Sequence, residues 1–227
     1  MTAKHLSKAV LRQDVPAVAL RAVLMPDGSG ARAATSHHLV WTLFGDSPDR
    51  ERDFLWREHA PGEFYLLSER EPRDVHGLFD IAPPKLFAPA LHPGDRLAFD
   101  LRANATVSRG GAPDVRGKPC DIVMDAIHRL PSAARAHARR EVLDKVSSDW
   151  LSRQGERGGF DVCAVEVTGY TTMSLDRSRG RQGAKIGVLD LRGVLAVREP
   201  RTFVAALCSG MGRAKTFGCG LMLIRRA

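Results

Sequence analysis

A chain of 227 residues that is 44% hydrophobic and 26% charged can fill one large core or two of about 110 residues each, so composition excludes a disordered chain. No apolar run approaches the roughly 18 residues of a membrane-spanning helix, and residues 1–15 lack the apolar stretch of a secretory leader. The net charge of +8 lies wholly in the second half: residues 1–113 hold 14 basic and 14 acidic side chains, residues 114–227 hold 20 and 12.

Residues 5–11 predict an opening strand, and MPDGSGAR (25–32) reads as a loop from its Pro, Asp, Ser and Gly content. ATSHHLVWTLF (34–44), stopped by Gly45 with Pro48 beyond, predicts a helix. DFLWRE and EFYLLSE flank HAPG as two strands and a turn. Residues 75–93, with Pro83, Pro84 and Pro89, read as mostly irregular. DRLAFDLRA then alternates, with Leu97, Phe99 and Leu101 on one face, as a half-buried strand does. This order predicts one ferredoxin-like half, residues 1–108, followed by a linker at 109–119 rich in Gly and Pro.

In residues 120–227 the pattern repeats. CDIVM reads as a strand, and residues 131–154 as a helix with Pro131 at its start and an apolar stripe of Val142, Leu143, Val146 and Trp150. Two strands follow at 160–167 and 184–197, then a short helix from Pro200 and a closing strand in FGCGLMLI. The expected fold is α+β: two tandem ferredoxin-like (RRM-like, βαββαβ) domains. The second sheet lacks the paired exposed aromatics on which an RRM stacks bases.

Three features carry chemistry. The first is the run GMG-RAKTF-GCG, in which two Gly-apolar-Gly triplets, Gly210–Gly212 and Gly218–Gly220, enclose Arg213 and Lys215. Such a run can turn its N–H groups toward an anion, or it can let two elements pack closely. It is a poor mononucleotide P-loop, because Ser209 and Ala214 stand where that motif needs glycine before Lys215 and Thr216. The second is SLDRSRGRQGAK, a polar hairpin with Arg177, Arg179, Arg181 and Lys185 against the single acid Asp176, suited to gripping a phosphate backbone. The third is His37 beside His38 on the first helix; one helical turn on, His37 meets Trp41, while His38 points about 100° away. The basic excess around the glycine run suggests a polyanion partner held more weakly as salt rises. Cys120, Cys163, Cys208 and Cys219 form no C-x-x-C pair, which argues against zinc and a redox pair and fits a reduced, cytoplasmic setting.

These motifs resemble the CasE family of repeat-cleaving endoribonucleases from the Cascade complex of CRISPR systems. The likeness runs through LSK, HHLVWTLF, RDFLW, FDLRAN and GRAKTFGCGL. It implies two ferredoxin-like domains that bind the hairpin of a CRISPR repeat, in precursor and mature crRNA. It further implies cleavage at the 3′ base of the stem with neither metal nor other cofactor, and retention as a partner of other Cascade subunits. Neither a membrane nor a nucleotide cofactor is expected.

The family's catalytic histidine stands four residues before the helix tryptophan, which is His37 here. It would move a proton while the RNA's 2′-hydroxyl attacks the phosphorus, leaving a 2′,3′-cyclic phosphate. Arg177, Arg179, Arg181 and Lys185 are expected on the stem. Gly210, Gly212, Arg213, Lys215, Gly218 and Gly220 are expected around the cut backbone, with Arg102 facing the same cleft. The chain departs from the family at Ala34, where a tyrosine is common. Ser36, His38 or Lys215 would then assist, and a non-catalytic RNA-binding subunit of the same fold is the alternative.

Overall fold

The computed structural model describes residues 3–14, 29–45, 51–109, 117–135, 137–177 and 181–227, with the side chains at 29–30, 175–177 and 181–184 outside the description. The first sheet is built from β1 (His5–Leu11), β2 (Phe54–Ala60), β3 (Glu63–Ser68) and β4 (Phe79–Ile81) in the order β2-β3-β1-β4, with the two-residue β5 (Lys85–Leu86) also on β1. All its pairings are antiparallel. Helix α1 (Ser29–Trp41) covers one face, and Leu39, Val40, Leu43 and Phe44 in and just after it pack on Phe54, Trp56, Phe64 and Leu66.

The second sheet has the order β11-β6-β10-β9, from β6 (Arg96–Ala103), β9 (Phe160–Arg177), β10 (Arg181–Val197) and β11 (Met222–Arg226). Helices α2 (Ile122–His128), α3 (Arg139–Gly158) and α4 (Pro200–Ser209) pack with it around Leu101, Trp150, Leu151, Leu191, Phe203 and Leu207. In both sheets the first and third strands are central and the second and fourth lie outside. That is the ferredoxin-like arrangement, twice in tandem.

The strand DRLAFDLRA forms as its alternation requires but joins the other sheet. β6 pairs along its length with β10 and β11, so the seam between the two sheets falls before Arg96. Alternation sets which face of a strand is buried, not which strand lies beside it. Both ends of the expected linker are in strands: Arg109, its first residue, lies opposite Lys118, and Pro119, its last, lies opposite Ser108, in β7 (Thr106–Arg109) and β8 (Lys118–Asp121); residues 110–116 lie outside the described set.

Three local expectations also change. Residues 29–32 of the expected loop are the first turn of α1. In CDIVM the strand stops at Asp121, whose carboxylate accepts from the N–H groups of Val123 and Met124, both at 2.9 Å, and so caps α2. After Pro131 comes a short 3-10 turn, and α3 proper starts at Arg139.

The domains dock through β2. Leu55 and Leu67 meet Leu221, and the guanidinium of Arg57, 6% exposed, reaches across to Asp100 of β6 at 2.6 Å. The glycine run makes the contact close enough. A Cβ at Gly210 would sit 2.8 Å from a methyl of Leu55, and one at Gly218 would sit 3.0 Å from the Trp56 ring. Gly210 also has φ 74° and ψ 152°, a region essentially reserved for glycine. Gly210→Ala is therefore expected to lower unfolding stability by about 1–3 kcal/mol from the backbone alone, measured by denaturant unfolding. A change below about 0.5 kcal/mol, the usual range for a surface substitution, would contradict this docking role.

Candidate active site

His37 lies half-buried on α1, on the side facing the second domain. One helical turn on, the indole N–H of Trp41 donates to its Nε2 at 2.8 Å, while Trp41 is itself held edge-on against Phe54, ring centres 5.2 Å apart. An imidazole that accepts at Nε2 is neutral and carries its proton on Nδ1. The ring of Phe217, from the turn after Arg213, stands 6.4 Å from that of His37. Burial, then the neighbouring His38, then the charge of Arg52 hold His37 below the ordinary imidazole pKa. Trp41 acts in the same direction, since its bond exists only with the neutral ring.

Arg52, the first residue of RDFLW and just ahead of β2, was given no role from the sequence, yet its charge reaches both His37 and Lys215. It is half-buried, and burial pushes its pKa below the usual guanidinium value. Its one hydrogen bond among the described residues is to the hydroxyl of Thr216 at 3.4 Å. The adjacent carboxylate of Asp53 is taken by Arg70 at 2.7 and 3.0 Å. Across from Arg52, the ammonium of Lys215 donates to the Ser209 carbonyl at 2.6 Å. Burial and then the charge of Arg52 lower the pKa of Lys215. Two cations and an imidazole therefore share one partly desolvated corner, with no carboxylate among the described residues paired to either cation.

The glycine run supports this corner chiefly by packing. The N–H groups of Gly210, Met211, Arg213, Phe217, Gly218 and Gly220 all donate to backbone carbonyls. A Cβ at Gly212 or Gly220 would press on the carbonyl of Asn104 or Met211. The Trp56 indole N–H donates to the Thr216 carbonyl at 3.2 Å, fixing the turn that carries Lys215 and Phe217. The Arg213 side chain is exposed, with its own N–H bonded to Asn104 O at 3.1 Å.

Arg102 lines a cavity of about 370 Å³ between the domains, together with Arg32, Glu58, His59 and Phe217. Its guanidinium is committed to Asp190 opposite it on β10, at 2.8 and 3.0 Å. The basic hairpin is the outer end of β9 and β10, paired as far as Arg177 with Arg181. Its stem packs on α1 through Met173, Val188 and Ile186 against Ala33. Lys185 is exposed and, one residue out of phase with Ile186, stands on the opposite face. The side chains of Arg177 and Arg181, and all of Arg179, lie outside the described residues. Ser36 is fully buried, with no partner for its hydroxyl among the described residues, and His38 is exposed. Among the described residues no group of three or more His, Cys, Asp or Glu side chains could hold a metal ion, and no helix is long and apolar enough to cross a membrane.

The His37 environment makes a titration prediction. In an NMR titration its midpoint should fall below 6.5, and Trp41→Phe should move it up. Because the unfolded chain binds this proton more readily, the associated stability is complete above pH 6.5 and lost as pH falls through the folded midpoint. A midpoint unmoved by Trp41→Phe would contradict the role given to the indole.

The family model described as CRISPR associated protein matches residues 4–226. The CRISPR-associated endoribonuclease Cse3 of Thermus thermophilus is 29% identical over 158 residues, 65% of this chain and 64% of that protein, so slightly under two thirds of that relative's length is matched. The Cascade subunit CasE of Escherichia coli is 26% identical over 192 residues, covering 82% of this chain and 88% of that protein. The structure of Thermus thermophilus Cse3 bound to an RNA representing a pre-cleavage complex superposes with a TM-score of 0.66 at 25% identity, covering 98% of this chain and 99% of that one. With nearly its whole length matched by the family model and both domains shared with these relatives, the chain belongs to the CRISPR associated protein family.

Proposed function

We propose that this chain is a metal-independent endoribonuclease that binds the hairpin of a CRISPR repeat and cuts precursor crRNA at the 3′ base of the stem. The observation that carries the reading is the neutral His37 facing the cationic corner of Arg52 and Lys215. It joins a proton-transfer group to a place for a phosphate. The relatives support it, since one is named an endoribonuclease and another a Cascade subunit.

The reaction needs no protein nucleophile. The 2′-hydroxyl of the nucleotide before the cut gives up its proton as its oxygen bonds to phosphorus. The bond from phosphorus to the 5′-oxygen breaks, and that oxygen takes a proton, leaving a 2′,3′-cyclic phosphate and a 5′-hydroxyl with all atoms accounted for. A neutral imidazole suits the first proton transfer once RNA displaces the Trp41 N–H from Nε2. General acid–base assistance of this kind contributes about 10²–10⁴-fold, and cations near the charged phosphorane add to it.

Arg213 and Lys215 hold the backbone near the cut, on a turn that the glycine run fixes by packing, while Arg177, Arg179, Arg181 and Lys185 hold the stem through its phosphates, in keeping with the inaccessible major groove of A-form RNA. The product stays bound and the chain acts as a Cascade subunit in the cytoplasm. The two-domain layout of 1–108 and 120–227 shifts under this reading, with β6 counted in the second domain.

Cleavage of a repeat hairpin in EDTA tests the proposal. Wild type should cut, whereas His37→Ala, and wild type on a substrate with a 2′-deoxy nucleotide before the cut, should bind without cutting. Normal cutting by His37→Ala would remove His37 from the mechanism, and wild-type binding without cutting would leave an RNA-binding subunit. Lys185→Ala should weaken hairpin binding and reduce the slope of log affinity against log salt by about one. An unchanged slope would take Lys185 off the phosphates.

A further inference from the structure

We propose that Arg52 is a catalytic residue, the cation that holds the reacting phosphate from the side of the first domain. The inference rests on the endoribonuclease reading and on an imbalance of charge. An arginine cannot shed its proton to escape burial, and a buried charge is tolerated when something of opposite sign meets it. Here nothing does among the described residues. Its sequence neighbour Asp53 is bound by Arg70 on both oxygens, and its one hydrogen bond, to Thr216, is long at 3.4 Å. The groups that feel its charge are the other basic members of the corner, His37 and Lys215. Such a corner is complete only when an anion enters it.

The alternatives for an assisting group fare less well. Ser36 is fully buried and His38 is exposed. Lys215 already spends its ammonium on the last carbonyl of α4, at 2.6 Å, where a cation also complements the negative end of the helix. Arg52 has the larger unspent capacity, and its planar fork can donate to two oxygens of one phosphate. Its place in the chain adds a consequence. Arg52 leads into β2 of the first domain and Lys215 belongs to the second, so a phosphate between them ties the domains together at the seam.

A docking role is the competing explanation, with Arg52 serving only to hold Thr216. Arg52→Gln separates the two, because glutamine keeps a donor for the threonine hydroxyl and removes the charge. The experiment measures single-turnover cleavage of a repeat hairpin at saturating protein, together with the melting temperature of the RNA-free chain. The expected result is a rate about 10²–10³-fold lower, the usual cost of removing one preorganised transition-state donor, with a melting temperature unchanged or raised. Arg52→Lys, which keeps the charge without the fork, should melt like wild type and recover part of the rate.

A rate within threefold of wild type for Arg52→Gln overturns the proposal while leaving the endoribonuclease reading intact. So does a rate loss matched by a lowered melting temperature, where Arg52→Lys restores both together. If wild type itself does not cut, the endoribonuclease reading fails. The readout is then the melting-temperature rise given by a hairpin ending in a 2′,3′-cyclic phosphate over the same hairpin without it. Loss of that rise in Arg52→Gln supports Arg52 as the phosphate ligand, and its persistence overturns it.

Discussion

The contact between β2 and the glycine run organises the molecule. Leu55 presses toward Gly210 and the Trp56 ring lies over Gly218, at separations that leave no room for a side chain. The indole N–H closes the contact on the Thr216 carbonyl. Because the strand that makes this contact begins just after Arg52 and the loop that receives it contains Lys215 and Phe217, packing and chemistry are set by the same few residues. Remove the close approach, and the corner beside His37 no longer exists as one place.

Two kinds of electrostatic arrangement meet at this interface. Arg57 with Asp100 and Arg102 with Asp190 are compensated pairs, and their work is to hold β2 against β6 and β6 against β10. Arg52 and Lys215 lack such partners among the described residues. That contrast separates the two kinds of cation more sharply than exposure does, since Arg102 lines a cleft between the domains and is nonetheless paired with Asp190.

Much of this was legible in the sequence where a local pattern fixes the outcome. The strand at 5–11, the helix bearing His37 and Trp41 four apart, and the hairpin around 59–62 follow from periodicity and turn residues. The glycine run was legible as a special backbone, but its two possible uses were not separable, because close packing and anion binding call for the same residue. What stayed hidden depended on partners distant in the chain. DRLAFDLRA shows its buried face without showing that β10 and β11 lie beside it. Arg52 next to Asp53 looks like a neutral dipeptide until Arg70 is seen to take the acid.

If His37 and the two cations act together, the reacting phosphate sits at the seam between the two domains, reached by His37 from α1 and by the cations on either side. A structure of the chain with an uncleavable hairpin, carrying a 2′-deoxy nucleotide before the cut, tests this directly. The phosphate at that position is expected within about 3 Å of a donor from the Lys215 turn and beside the His37 imidazole, which has exchanged its Trp41 partner for RNA. A phosphate bound elsewhere, with the His37 and Trp41 hydrogen bond intact and the seam empty, would contradict it.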